Sequence, residues 1–250
     1  MSTDNAKPRA AIVTGSARGL GLEVASLLLG QGTHVSMVDL ELARLTEASE
    51  GLAGEPHLIA ADLSRTAECD RVVAEATAHW GQVDILVNCA AILHRVELAD
   101  LDEETFAHIV NTNLRSVFWL CRNVIPGMQE RGYGRIVNLT SIGIHTGGYS
   151  LTSAVYEATK GAIHNFTKTL ARSLAPHGIL VNSVAPGGML TRMLLDETPP
   201  EVLAGVMADI PVRRLAEPAE VAEVVAFLAS DRNTYASGAS FDVNGGAAMA

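Results

Sequence analysis

From Ala10 onward, short runs of apolar and β-branched residues alternate with longer stretches whose apolar positions recur at helical spacing. The runs are "AAIVT" (10–14), "HVSMV" (34–38), "HLIAA" (57–61), "DILVN" (84–88), "RIVNL" (135–139), "ILVNSV" (179–184) and "ASFDV" (239–243). Helical pattern fills 19–30, 41–50, 66–79, 103–129, 153–175 and 217–229. Most of the short runs are apolar on both faces, as strands are when helices cover both sides of a sheet. The alternation predicts βαβ units, and so an α/β fold with a doubly wound parallel sheet. One segment breaks the rhythm. Residues 189–212, "MLTRMLLDETPPEVLAGVMADIPV", are apolar but carry a Pro-Pro pair and no strand period, which predicts an inserted helical flap. With no repeat, linker or low-complexity stretch, residues 1–250 read as a single domain.

Composition adds exclusions. Apolar residues make up 48% and charged residues 18%, which suits a packed globular chain and not a disordered one. No apolar run approaches the roughly 20 residues of a membrane span, and "MSTDNAKPRA" has no apolar leader, so a cytoplasmic protein is expected. Cys69, Cys89 and Cys121 are widely spaced and odd in number, which predicts reduced thiols and no structural metal. A net charge of −10 without a basic cluster argues against nucleic acid or an anionic membrane as partner.

The chemistry begins after the first strand, in "TGSARGLG" (14–21). Glycines at 15, 19 and 21 permit a sharp turn and bring backbone amides near a pyrophosphate at a helix N-terminus. A tight turn alone would use the same residues; the strand before it and the helix after it favour the cofactor reading. The second strand ends at Asp39, whose carboxylate can accept from a ribose and repel a 2′-phosphate, so NAD is expected over NADP. Arg18 pulls the other way, because a guanidinium in the turn suits a 2′-phosphate. Asp39 has a plainer reading as a solvated strand end or helix cap.

"YEATK" (156–160) holds one of three lysines in a chain that otherwise uses arginine. A spacing of four places Tyr156 and Lys160 on one helix face, close enough for the ammonium to favour the phenolate. Bringing a phenol from about 10 to about 7 requires roughly 4 kcal/mol, which the lysine and a positive nicotinamide ring can share. The compact ammonium also suits ribose hydroxyls in a way that a guanidinium does not.

With Thr14 to Gly21 and Tyr156 to Lys160 in one chain, the sequence resembles the short-chain dehydrogenase/reductase family from Ala10 to Gly246. The resemblance implies a Rossmann-like seven-stranded sheet, NAD(P) binding and a homotetramer, with 103–129 and 153–175 at one interface and the C-terminus at another. For the cofactor it implies Gly15, Ser16, Arg18, Gly19, Leu20, Gly21, Asp39, Leu40, Asp62, Leu63, Asn88, Ala90, Tyr156, Lys160, Pro186, Gly187 and Thr191. Asp62 has the alternative of capping a helix. "NCAA" (88–91) departs from the family's Asn-Asn-Ala-Gly at Cys89 and Ala91.

For catalysis the resemblance implies Asn113, Ser141, Tyr156 and Lys160: Ser141 and Tyr156 hold the alcohol oxygen, and Asn113 supports a water relay from the lysine. The Ser141–Tyr156 spacing is longer than is usual in the family, so Thr140, Gly143 and Ser153 stay open as alternatives to Ser141. Candidate substrate walls are Leu93, His94, Gly143, His145, Tyr149, Ser153, Met189, Leu190 and Leu194. The expected activity is NAD-dependent interconversion of a secondary alcohol or polyol and its ketone. A 3-oxoacyl thioester reductase using NADPH is the enzymatic alternative, and a dinucleotide-sensing scaffold the non-enzymatic one.

Overall fold

A computed structural model describes residues 7–148, 150–196 and 200–249, the side chains of 200–202 excepted. The strands are β1 (Ala10–Thr14), β2 (His34–Asp39), β3 (His57–Ala60), β4 (Ile85–Asn88), β5 (Gly134–Leu139), β6 (Ile179–Pro186) and β7 (Ser240–Val243). They form one parallel sheet in the order β3-β2-β1-β4-β5-β6-β7. The order reverses between β1 and β4, and a parallel sheet opens a crevice at such a switch, beyond the C-terminal strand ends.

The helices are α1 (Gly19–Gly30), α2 (Leu42–Ser49), α3 (Thr66–Trp80), α4 (Glu103–Val110), α5 (Ser116–Arg131), α6 (Gly143–Thr146), α7 (Ala154–Leu174), α8 (Arg192–Leu195), α9 (Pro200–Asp209) and α10 (Pro218–Ala229). Strand residues alternate between two cores, one on each face of the sheet. Ile12, Leu86 and Ile136 pack with Val72, Leu120 and Ile163 of α3, α5 and α7. Ala11, Val13, Val87 and Val137 pack with Val24, Leu28, Val221 and Val225 of α1 and α10. A strand buried on both faces has no polar side to alternate with, which is why these runs look continuously apolar.

Two features go beyond the sequence pattern. The expected helix over 103–129 is two helices joined by a π-helical turn, Asn111–Arg115, at which the i→i+4 ladder is interrupted. The expected flap over 189–212 contains α8 and α9, and Met189 bridges to Ala216 in parallel, fastening its base.

Candidate active site

β1 runs straight into a turn whose shape is set by packing of bare backbone. Gly15 has φ +67°, and a Cβ there would lie 2.8 Å from Ala90 Cα. A Cβ on Gly21 would lie 2.1 Å from the Gly15 carbonyl oxygen, so only hydrogen fits at either place. Thr14 Oγ1 accepts from the amides of Cys89 and Ala90, each at 3.1 Å, and ties the exits of β1 and β4 together. The first turn of α1 carries no acidic residue, so its unpaired amides stay available to an anion. A glycine floor at a helix N-terminus, kept clear of Cβ atoms, fits the pyrophosphate of a dinucleotide.

A cavity of about 1460 Å³ extends from this turn across the strand ends. That exceeds the roughly 300–1,000 Å³ of a one-ligand pocket and suits a dinucleotide together with a substrate. On the β1–β3 side it is lined by Gly15, Arg18, Gly19, Leu20, Gly21, Asp39, Leu40, Asp62, Leu63 and Ala90. The Asp39 carboxylate is held towards the turn, accepting from Ala17 N at 3.0 Å and Leu40 N at 2.8 Å. Asp62 accepts from Ser64 N at 3.0 Å, so it shapes the turn ahead of α3 while also facing the cavity. Two expected cofactor residues point elsewhere. Ser16 is buried with its hydroxyl on Val38 O, and Asn88 donates to Asn138 Oδ1 at 2.8 Å in a buried chain that continues to Thr167. Both brace the floor from behind.

The centre of the cavity is lined by Ser141, Ser153, Tyr156 and Lys160, with Pro186, Gly187, Met189, Leu190, Thr191 and Leu194 on the flap side. Lys160 is 3% exposed; its Nζ donates to Leu139 O at 2.7 Å and lies 5.5 Å from the Tyr156 ring centroid. Burial lowers its pKa to about 8. The Tyr156 phenol, in turn, is pushed well above its ordinary value, by burial first and then by Glu157 and Cys89. In the cofactor-free site, then, the lysine by itself does not lower the phenol. Desolvation penalises the phenolate, and the ammonium is engaged by a backbone carbonyl. A lowered phenol pKa therefore requires additional positive charge against the ring.

Ser141 Oγ accepts from Gly143 N at 3.0 Å, just beyond β5. Of its alternatives, Thr140 donates to Val184 O at 2.9 Å and Ser153 to Ser150 O at 3.0 Å, so both hydroxyls are committed to backbone. Asn113 is fully buried in the π-helical turn. Its Oδ1 accepts from Ile92 N at 2.8 Å and its Nδ2 donates to Ile92 O at 2.9 Å. The extra residue in that turn lets the amide clamp the loop leaving β4, and the side chain lies outside the cavity lining.

The expected polar walls need revision. His145 pairs through Nε2 with Asp242 Oδ1 at 2.8 Å, away from the cavity. His94 is exposed, while its neighbours Leu93 and Arg95 line the cavity. Gly143 is not itself a wall: a Cβ there would meet Glu157 Oε2 at 1.7 Å, so its bareness lets Glu157 reach the lining. Tyr149 lies outside the described residues. Sequence reasoning missed Arg95, Glu157 and Cys89, all of which line the cavity. Glu157 stood inside the Tyr–Lys pentapeptide as a signal, whereas Arg95 had none.

Comparison with known proteins agrees with this geometry. A family model described as enoyl-(acyl carrier protein) reductase matches residues 15–248. The chain is 37% identical over 246 residues to an acetoacetyl-CoA reductase of Allochromatium vinosum, covering 96% of this chain and 99% of the relative. It is 36% identical over 248 residues to a 3-oxoacyl-(acyl-carrier-protein) reductase of Vibrio cholerae, covering 98% and 99%. It is 34% identical over 239 residues to a 2-dehydro-3-deoxy-L-rhamnonate dehydrogenase (NAD(+)) of a Sphingomonas species, covering 95% and 94%. Sheet order, glycine turn and near full-length relatives together make this chain a member of the short-chain dehydrogenase/reductase family, whose oxidoreductases use a nicotinamide dinucleotide.

Proposed function

We propose that the protein is an NAD-dependent dehydrogenase that interconverts a secondary alcohol or polyol and its ketone. The observation that carries this reading is the convergence of Ser141, Tyr156 and Lys160 on one cavity that also reaches Asp39. Gly15, Gly19 and Gly21 would hold the pyrophosphate, Asp39 the adenosine ribose, Lys160 the nicotinamide ribose, and Pro186, Gly187 and Thr191 the nicotinamide end. The bound cofactor supplies the hydride acceptor or donor, and its oxidised ring adds positive charge beside Tyr156. Ser141 and Tyr156 hold the carbinol oxygen. In oxidation Tyr156 acts as the phenolate and takes the hydroxyl proton as the carbon gives up its hydride; in reduction the phenol returns that proton to the oxygen as the carbon receives hydride. Lys160 holds the phenol's charge in balance, and Asn113, through Ile92, keeps the β4 loop in place.

Asp39 supports NAD over NADP, since its fixed carboxylate would repel a 2′-phosphate, and the Sphingomonas relative is named for NAD(+). A 3-oxoacyl thioester reductase is the second reading, supported by the names of the other two relatives. The family resemblance supports a homotetramer. Phe118, 40% exposed and stacked on Phe166 at 3.7 Å, offers an apolar contact on the expected α5–α7 interface.

The test is a spectrophotometric screen of alcohols, polyols, hydroxy acids and acyl thioesters with each cofactor, in wild type and Tyr156→Phe. The reading expects NAD-linked turnover of an alcohol that falls at least about 1000-fold in Tyr156→Phe while NADH still binds. Turnover confined to acyl thioesters with NADPH would select the second reading.

A further inference from the structure

The substrate end of the cavity contains a charge pair that is not paired. Arg95 enters from the loop after β4, and Glu157 from the first turn of α7 beside Tyr156; both line the cavity. Arg95 Nε and Glu157 Oε2 are buried atoms without hydrogen-bond partners among the described residues. The two side chains feel each other electrostatically, since Arg95 opposes the rise in the Glu157 pKa, yet among the described residues they form no salt bridge. A buried guanidinium nitrogen and a buried carboxyl oxygen each cost free energy when left without a partner. Their joint presence in a ligand cavity points to a ligand that satisfies both.

Local structure holds each residue there. Asn113 clamps Ile92, three residues before Arg95, with two hydrogen bonds to its backbone. Glu157 lies in a slot bounded by two glycines: Cβ atoms at Gly143 and Gly148 would fall 1.7 Å from its Oε2 and 2.7 Å from its Cγ. The Ser141 hydroxyl also lies against its carboxyl. The lengthened segment between Ser141 and Tyr156 thus includes the two bare positions that allow an acid into the site.

We propose that Arg95 and Glu157 select a polyhydroxylated carboxylate as substrate. Arg95 takes the carboxylate in a forked, charge-assisted pair, and Glu157 takes a hydroxyl neighbouring the carbinol held by Ser141 and Tyr156. This rests on the dehydrogenase reading above and narrows its substrate class to hydroxy acids of the sugar-acid type. A neutral polyol would leave the buried Arg95 Nε without a charged partner, which disfavours it in the way that buried polar sites reject analogues lacking the matching group.

The test compares aldonates of four to six carbons with alditols of the same length, using NAD and wild type, Arg95→Gln, Arg95→Lys and Tyr156→Phe. The expected result is a higher kcat/KM for an aldonate than for its alditol. Arg95→Gln then loses roughly 100-fold on the aldonate, mainly through KM, and less than about threefold on the alditol, with Arg95→Lys between. Aldonate binding to the enzyme–NADH complex, read by NADH fluorescence, should weaken in parallel in Arg95→Gln, and thermal melting checks that the variant folds. Equal losses on both substrate types, or no aldonate preference, would overturn the proposal. If alditols are still oxidised and Tyr156→Phe is still inactive, the dehydrogenase reading survives that failure. Turnover of acyl thioesters alone overturns both.

Discussion

Lys160 is buried with its charge, and Lys160→Met tests what that burial costs. The ammonium is 3% exposed and its pKa falls from about 10.5 to about 8, with desolvation as the largest cause. A folded pKa below the unfolded one means that the unfolded chain binds more protons between pH 8 and 10.5. The Lys160 contribution to wild-type stability therefore rises with pH through that window. Below pH 8 the full penalty applies, about 3 kcal/mol for the shift of some 2.5 pH units. Methionine has a similar reach and no charge, but it leaves Leu139 O without its 2.7 Å donor, which costs about 1 kcal/mol. At pH 7 the cofactor-free variant should thus be more stable than wild type by about 2 kcal/mol. For a chain of this size that corresponds to about 4–8 °C in melting temperature. By pH 10 the advantage should have almost vanished, because wild-type lysine is then largely neutral in the fold. Scanning fluorimetry or calorimetry at pH 7 and pH 10, at one protomer concentration, measures the difference. The reasoning fails if Lys160→Met melts below wild type at pH 7, or if the gap does not shrink at pH 10. Dehydrogenase activity should be lost in the same variant, so that the gain in stability and the loss of function come from one side chain.

Two further substitutions examine the cofactor end. Asp39→Ala should shift the ratio of kcat/KM for NADP over NAD by about tenfold or more towards NADP, since Arg18 then faces a 2′-phosphate without an opposing carboxylate; steady-state kinetics with each cofactor reads it. Gly21→Ala places a Cβ 2.1 Å from the Gly15 carbonyl, so it should destabilise the fold by about 2–3 kcal/mol and raise the NADH Kd by at least about tenfold in a fluorescence titration.

How far the site was legible depended on how local its causes were. The glycine turn and the Tyr156–Lys160 spacing could be read directly, because a turn and one helical step are set by a few adjacent residues. The π-helical turn could not: the partner that Asn113 clamps is Ile92, 21 positions earlier and outside any periodic pattern. His145 looked like a substrate residue from its loop, yet its partner is Asp242, 97 positions away on β7. The pKa of Tyr156 had the same dependence. Spacing brings the lysine near, but burial and the Leu139 carbonyl decide how much of its charge the phenol feels.

By itself, then, the sequence determined the alternation of strands and helices, the sheet class, the glycine turn and the Tyr156–Lys160 pair, all of which follow from spacing along the chain. Tertiary structure alone decided which polar side chains share the cavity. It turned Asn88 and Ser16 behind the floor, sent His145 to β7, and brought Arg95 and Glu157 into the cavity lining. The physical reason is that a side chain's partner is chosen by three-dimensional packing and desolvation, and neither has a period that a sequence can display.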